Sequence, residues 1–261
     1  MRMGNPSMRK IVRRVESGQI AMDSSPCTYG GIALKSVYFL ALTIVAAVGS
    51  ALLIMFAIGT ENVDLLITLG IASIVCAVLM LVLSLVVAFA PKTVKVAGSL
   101  FALLQGALLG MVVFMLNTLV PGVAFAAVLG TLIVFVVSVG LNRVLNARVK
   151  SNVLRVLLVA FASLFLVQIG MVIYAFAAGI TETFFQVYFW IQLAASAFCV
   201  IYASVLLMWD LQSAAHVVQL GADKSYEWQV AFSLVTTLVY LYIEILELLV
   251  RLVMLFGNNK R

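Results

Sequence analysis

The apolar segment at residues 65–90 limits the fold of this chain more than any other feature, because it contains no charged residue. It is longer than the roughly 20 residues that an α-helix needs to cross a bilayer. Similar runs follow one another along the 261 residues, of which 65% are hydrophobic and 10% are charged. A membrane β-barrel would instead show alternating segments of about 10 residues. The sequence therefore predicts an all-α integral membrane protein.

Seven such runs predict a seven-transmembrane-helix bundle. They cover about residues 32–58, 65–90, 96–119, 123–141, a fifth stretch ending near 180, and then 184–209 and 226–256. The bundle would occupy residues 32–256, between a basic N-terminal tail (1–31) and a short polar C-terminal tail (257–261). Three tryptophans stand at predicted span ends, where interfacial anchoring is expected: Trp190, Trp209 and Trp228. Lys35, at the mouth of the first span, is expected to snorkel to the lipid headgroups.

Basic residues mark one side of the predicted membrane. They precede the first span and follow the second and fourth, which predicts a multi-pass membrane protein with a cytoplasmic N-terminus. The membrane that we expect is the inner (plasma) membrane. Seven complete spans would place the C-terminus outside, whereas Arg251, Lys260 and Arg261 favour the inside. The alternative is a last segment that enters the membrane without crossing it.

Several function classes are excluded on composition and motifs. The net charge of +6 comes from basic residues beside the spans, so the expected partner is the lipid bilayer and not nucleic acid. The three cysteines show no metal-ligand spacing. No catalytic or nucleotide-binding motif is present, so we expect neither an enzyme nor a cofactor.

Acidic residues in the late spans are the main candidates for function. A charge at a helix centre in lipid costs roughly 2.5 to 3.5 kcal/mol on insertion scales, yet Glu244 and Glu247 lie inside the last apolar run and Asp210 closes the run before it. In an antiparallel hairpin with its turn near residue 227, Asp210 and Glu244 fall at the same height. One hypothesis is a shared proton and a pH-dependent latch. The alternative is a solvated Asp210 at the membrane edge and a Glu244 that faces an amide or hydroxyl of a neighbouring helix.

Other polar residues within the spans have simpler interpretations. Glu247 and Arg251 have the i,i+4 spacing of a helical ion pair, although both are also candidate pore residues. Four glutamines predict hydrogen bonds between helices or, alternatively, the lining of a polar path: Gln105, Gln168, Gln186 and Gln192.

The last third of the chain resembles the Bax inhibitor family, the transmembrane Bax-inhibitor-motif proteins, and in particular their bacterial branch. The resemblance rests on the segments 209–212 (WDLQ), 226–228 (YEW) and 241–246 (LYIEIL), with weaker support from residues 104–106 (LQG). It implies a seven-helix fold with the last helix central, and a pH-sensitive calcium leak sensed by an acidic pair. The matching positions are Asp210 and Glu244. Gln105 stands where the family often has glutamate, and Glu244 replaces the aspartate of the better-known calcium-leak members.

Two functions follow as expectations. The first is a passive, pH-gated leak for Ca²⁺ or other cations, with Asp210 and Glu244 as transient ligands, because hard cations prefer oxygen ligands. The second is a non-transporting regulator that binds another membrane protein, such as a membrane protease or translocation complex, through its basic N-terminal segment.

Overall fold

The computed structural model describes residues 26–90, 93–144, 149, 151–179 and 181–258. Within these ranges the chain forms seven α-helices, which we number in chain order. They are α1 (Tyr29–Gly59), α2 (Val63–Phe89), α3 (Val94–Leu119), α4 (Val123–Val144), α5 (Ser151–Ala178), α6 (Glu182–Gln219) and α7 (Tyr226–Asn258). The predictions for residues 1–25 and for 259–261 lie outside the described residues. The all-α prediction is confirmed for the part that the structure describes.

Six of these helices, α1 to α6, are long and apolar enough to cross a membrane. The chain is therefore a multi-pass membrane protein. Helix α7, which carries the interior acidic residues, is not among the six. That a seventh helix crosses the membrane remains a prediction.

Polar side chains and glycine define several helix ends. The Thr28 hydroxyl accepts a hydrogen bond from the Gly31 amide at the start of α1, and Asn62 caps α2 by accepting from the Leu65 amide. Both satisfy amides that have no partner within the helix. After α6, Gly221 adopts a φ of 63°, a left-handed conformation that glycine takes without strain. Helix α6 continues past Asp210 to Gln219, beyond the end of the apolar run at residue 209.

The chain divides into two compact units, and α6 and α7 each contribute to both. The N-terminal unit contains α1, α2 and α3 together with Asp210–Thr236. In it, α1 and α3 approach closely because Gly106 and Gly110 have no side chains. A Cβ atom at Gly106 would collide with the Thr43 carbonyl, and one at Gly110 with the Ala47 carbonyl. This contact between small residues is typical of helices packed in membranes.

The C-terminal unit contains Gly122–Trp209, and hence α4, α5 and most of α6, together with α7 from Thr237 onward. The Phe161 ring on α5 stacks on Tyr202 of α6 with 4.9 Å between centroids. On α4, a Cβ atom at Gly130 would lie 3.1 Å from the Ile245 side chain of α7. Helices α4, α5 and α6 therefore pack together with the second half of α7.

Helix α7 is buried along most of its length. In the N-terminal unit Val230 and Ala231 are fully buried, and in the C-terminal unit Leu241 and Leu246 are fully buried. By contrast, α2 buries Val87 and exposes many of its large apolar side chains. Exposed apolar surface of this kind is suited to lipid, whereas α7 faces other helices. That the last helix is central to the bundle stays a prediction.

Two predictions for single side chains are wrong. Trp209 is not an interfacial anchor, because it is 7% exposed and its indole nitrogen is buried without a hydrogen-bond partner in the described part of the chain. Lys35 does not snorkel outward, because its ammonium group is paired with Glu227. Trp190, which is 58% exposed, has the exposure expected of an anchor.

Candidate functional site

The carboxyl group of Glu244 lies in a polar cluster of the C-terminal unit. It interacts with the Tyr240 hydroxyl and the Glu247 carboxylate on α7, and with the Cys199 thiol on α6. The Tyr240 hydroxyl is fully buried and makes no hydrogen bond of standard geometry in the described residues. Glu244 itself is partly buried. The surroundings of Glu244 therefore combine a second acid, a phenolic hydroxyl, a thiol and limited contact with solvent.

Glu247 and Arg251 form the ion pair that their spacing predicted. The Arg251 Nη2 atom donates to the Glu247 Oε2 atom over 2.8 Å. The guanidinium is more enclosed than its partner, since the Arg251 side chain is 20% exposed and that of Glu247 is 37% exposed. Arg251 also interacts electrostatically with Glu244, so one arginine faces both carboxyl groups.

Two of the predicted glutamines join α5 to α6. The Gln168 Nε2 atom donates to Gln192 Oε1 over 2.9 Å, and the Gln192 Nε2 atom donates back to Gln168 Oε1 over 3.1 Å. The Gln192 amide also donates to the Tyr188 hydroxyl over 2.6 Å, and its oxygen accepts from Arg251 over 3.5 Å. Polar side chains therefore connect three helices within this unit.

The other glutamines behave differently. Gln105 is 8% exposed in α3, beside the glycine that contacts α1. Gln186 is exposed on α6. The prediction of interhelical hydrogen bonds therefore holds for Gln168 and Gln192.

Asp210 lies in the N-terminal unit and Glu244 in the C-terminal unit. Asp210 is 5% exposed and takes part in a polar or electrostatic interaction within the protein. A solvated position at the membrane edge, the alternative left open by the sequence, does not fit this burial. The hydroxyl beside Glu244 belongs to Tyr240 of the same helix, and the group that approaches Glu244 from another helix is the Cys199 thiol. The amide or hydroxyl of a neighbouring helix that the same alternative expected is not among these groups.

A second carboxylate, Glu227, was missed as a site by sequence reasoning. It lies at the start of α7, its side chain is 1% exposed, and it accepts a hydrogen bond of 2.7 Å from the Lys35 ammonium on α1. The Thr28 amide and hydroxyl also donate to it, over 2.9 and 3.2 Å. The sequence offered two signals for this pair. Lys35 is a lone cation in the first apolar run, and Glu227 is an acid at the start of the last apolar run.

The environment of Glu227 favours its charged form. Burial raises the pKa of this carboxyl, but the hydrogen bond and charge of Lys35 and the donors of Thr28 outweigh burial and leave the pKa below its ordinary value. Cys27 lies nearby, and burial together with the Glu227 charge raises the pKa of its thiol to about 11. The first residues before α1 are thus tied to the start of α7 by a charged, desolvated contact.

The described residues contain no group of three or more His, Cys, Asp or Glu side chains placed to hold a metal ion. The helices and these polar groups define a polytopic α-helical membrane protein with ionisable groups buried between helices. The family model described as Bax inhibitor 1 like matches residues 5–254, and the chain belongs to that family. Searches of curated proteins and of solved structures find no match.

Proposed function

We propose that this protein is a passive, pH-sensitive leak for cations, with Ca²⁺ as the principal ion and Asp210 and Glu244 as its proton-sensing carboxyl groups. The observation that carries the proposal is that α6 and α7, which are consecutive in the chain, each hold a carboxyl group withdrawn from solvent. Ionised carboxylates in such positions are costly and are typical of ion and proton pathways. Family membership supports the same function.

Ca²⁺ is the preferred ion because it takes oxygen ligands, and carboxylates are the strong oxygen ligands of these helices. A passing ion would contact Asp210 and Glu244 transiently. The groups facing Glu244 are the Cys199 thiol on α6 and Tyr240, Glu247 and Arg251 on α7. Protonation of the carboxyl groups removes the negative charge that attracts the cation, and so provides the pH response.

Flux into liposomes tests this proposal. Protein reconstituted with an enclosed calcium dye should give Ca²⁺ entry that changes with pH, and the double variant Asp210→Asn with Glu244→Gln should lose that pH dependence. Glu182→Gln is the matched control, because Glu182 is an exposed acid at the start of α6. An unchanged pH profile in the double variant, or no flux above protein-free liposomes, would count against the proposal.

A second candidate is a non-transporting regulator that binds another membrane protein, such as a membrane protease or translocation complex. The supporting observation is that residues leading into α1 are held on the loop between α6 and α7, where the Cys27 amide donates to the Ala222 carbonyl over 2.7 Å. The described residues that follow the basic segment are thus joined to the loop that precedes α7. Removing residues 1–25 should abolish partner capture from membranes while leaving the thermal midpoint unchanged, whereas retained capture would argue against it.

The proposed location is the inner membrane of a bacterial cell with the N-terminus in the cytoplasm. The distribution of basic residues supports this orientation. Single cysteines placed at residues 3 and 260 of a cysteine-free variant would establish it, through labelling of intact cells with an impermeant maleimide. Labelling of the N-terminal position from outside would contradict the orientation.

A further inference from the structure

Two rows of polar side chains face each other in the C-terminal unit, and we call them together the polar seam. Its members are Tyr188, Gln192, Ser196 and Cys199 of α6, and Tyr240, Glu244, Glu247 and Arg251 of α7. Successive members on each helix are three or four residues apart, so each row occupies one helix face. The seam is a feature of two antiparallel helices and not of one.

Contacts at both ends show that the two rows meet. At one end Gln192 accepts a hydrogen bond from Arg251, and at the other Cys199 interacts with Tyr240 and Glu244. From Tyr240 to Arg251 the row on α7 extends about 16 Å at 1.5 Å per residue. That is roughly half of the 30 Å hydrocarbon thickness of a bilayer.

We propose that the polar seam is the part of the cation route that lies in this unit, and that Arg251 is its electrostatic gate. The proposal rests on the leak function above and goes beyond it, because it assigns the ion barrier to a residue other than the carboxyl pair. A cation moving along the seam must pass the guanidinium, which repels it. Glu247 holds the guanidinium at 2.8 Å and Gln192 holds it from the opposite helix, so the positive charge is fixed in position.

The charge of the ion provides a sharp test, because Coulomb repulsion from a fixed charge is proportional to it. Removing the charge with Arg251→Gln should raise Ca²⁺ flux on the order of ten-fold. It should raise K⁺ flux by roughly the square root of that factor, because K⁺ carries half the charge. A structural widening of the route has no reason to follow this ratio.

The experiment measures Ca²⁺ and K⁺ entry in the same liposome preparations. Arg251→Lys keeps the charge and should therefore raise Ca²⁺ flux less than Arg251→Gln does. Arg155→Gln is the matched control, because Arg155 is an exposed arginine on α5 of the same unit, and it should change neither flux. If Arg251→Gln fails to fold, Gln192→Glu introduces a compensating carboxylate beside Arg251 and should raise Ca²⁺ flux more than K⁺ flux.

The outcomes separate the two proposals. Wild-type flux that depends on Glu244 but is unaffected by Arg251→Gln, or equal increases for both ions, would overturn the gate and leave the leak standing. Absence of flux in the wild-type protein would overturn both. If Arg251→Gln raises K⁺ flux by the square root of the factor by which it raises Ca²⁺ flux, Arg251 is established as the gate.

Discussion

Lys35 donates a hydrogen bond of 2.7 Å to Glu227, and the two side chains are 12% and 1% exposed. The residues are 192 positions apart in the sequence, so this pair ties the first described helix to the last. The Lys35 ammonium also lies 5.0 Å from the ring centroid of Trp228. Removing one partner of a desolvated ion pair costs much folding free energy, because the other charge is then left without compensation.

Glu227→Gln should therefore destabilise the protein by about 3 to 5 kcal/mol, because it leaves the Lys35 ammonium buried without its counter-charge. Unfolding in detergent micelles, followed by circular dichroism during titration with a denaturing detergent, measures the change. The exposed acid Glu182 supplies the control, and Glu182→Gln should be within about 0.5 kcal/mol of wild type. Equal stability of the Glu227 and Glu182 variants would contradict the structural role of the pair.

The same pair predicts how stability depends on pH. The pKa of Glu227 is lower in the folded protein than its ordinary value of 4.5, so the unfolded chain binds more protons as the pH falls through this range. The stabilisation is fully present above about pH 4.5 and is lost as the pH falls below that value toward the folded pKa. Thermal midpoints between pH 6 and pH 3 should fall more steeply for the wild type than for Glu227→Gln. Parallel profiles would show that another group governs acid sensitivity.

The sequence alone predicts the helices but not the contact between Lys35 and Glu227. Uncharged runs of membrane length determine where helices form, and i,i+4 spacing was enough to pair Glu247 with Arg251. Lys35 and Glu227 are joined only when α1 packs beside α7, and no local pattern encodes that neighbour. The burial of Trp209, expected at the membrane interface, depends on packing in the same way, and so does that of Asp210, for which the sequence left a solvated position open.

Gly31 on α1 packs directly against the Glu227 carboxyl group. A Cβ atom at Gly31 would collide with the Glu227 carboxyl group, whereas one at the neighbouring Gly30 would have nothing within 4 Å. Gly31→Ala should therefore destabilise by about 1 to 3 kcal/mol through overpacking. Gly30→Ala should be neutral or stabilising by up to about 1 kcal/mol, because alanine favours the helix. Detergent unfolding compares the two variants, and a Gly31→Ala protein as stable as Gly30→Ala would refute the contact.

The close approach of α1 and α3 gives a second matched comparison. Gly110→Ala would place a methyl group against the Ala47 carbonyl and the Ser50 hydroxyl, whereas Gly49, on α1, has open space around it. We expect Gly110→Ala to lower the thermal midpoint, at a cost of about 1 to 3 kcal/mol, and Gly49→Ala to preserve it. If both variants melt together with the wild type, the two helices are not packed through their glycines.

The reciprocal amide pair between Gln168 and Gln192 allows the polar network of α5 and α6 to be measured directly. A double-mutant cycle with Gln168→Leu and Gln192→Leu isolates the coupling between the two amides, because the contacts of Gln192 with Tyr188 and Arg251 are lost in both backgrounds and cancel. Hydrogen bonds between membrane helices contribute about 0.6 kcal/mol on average and up to about 1.7 kcal/mol, so we expect a coupling energy in that range. The exposed Gln186 on α6 provides a control, and its cycle with Gln168 should show no coupling. Additive effects of Gln168→Leu and Gln192→Leu would mean that the two amides act independently, and the attachment of Arg251 to α6 through Gln192 would then have to be reconsidered.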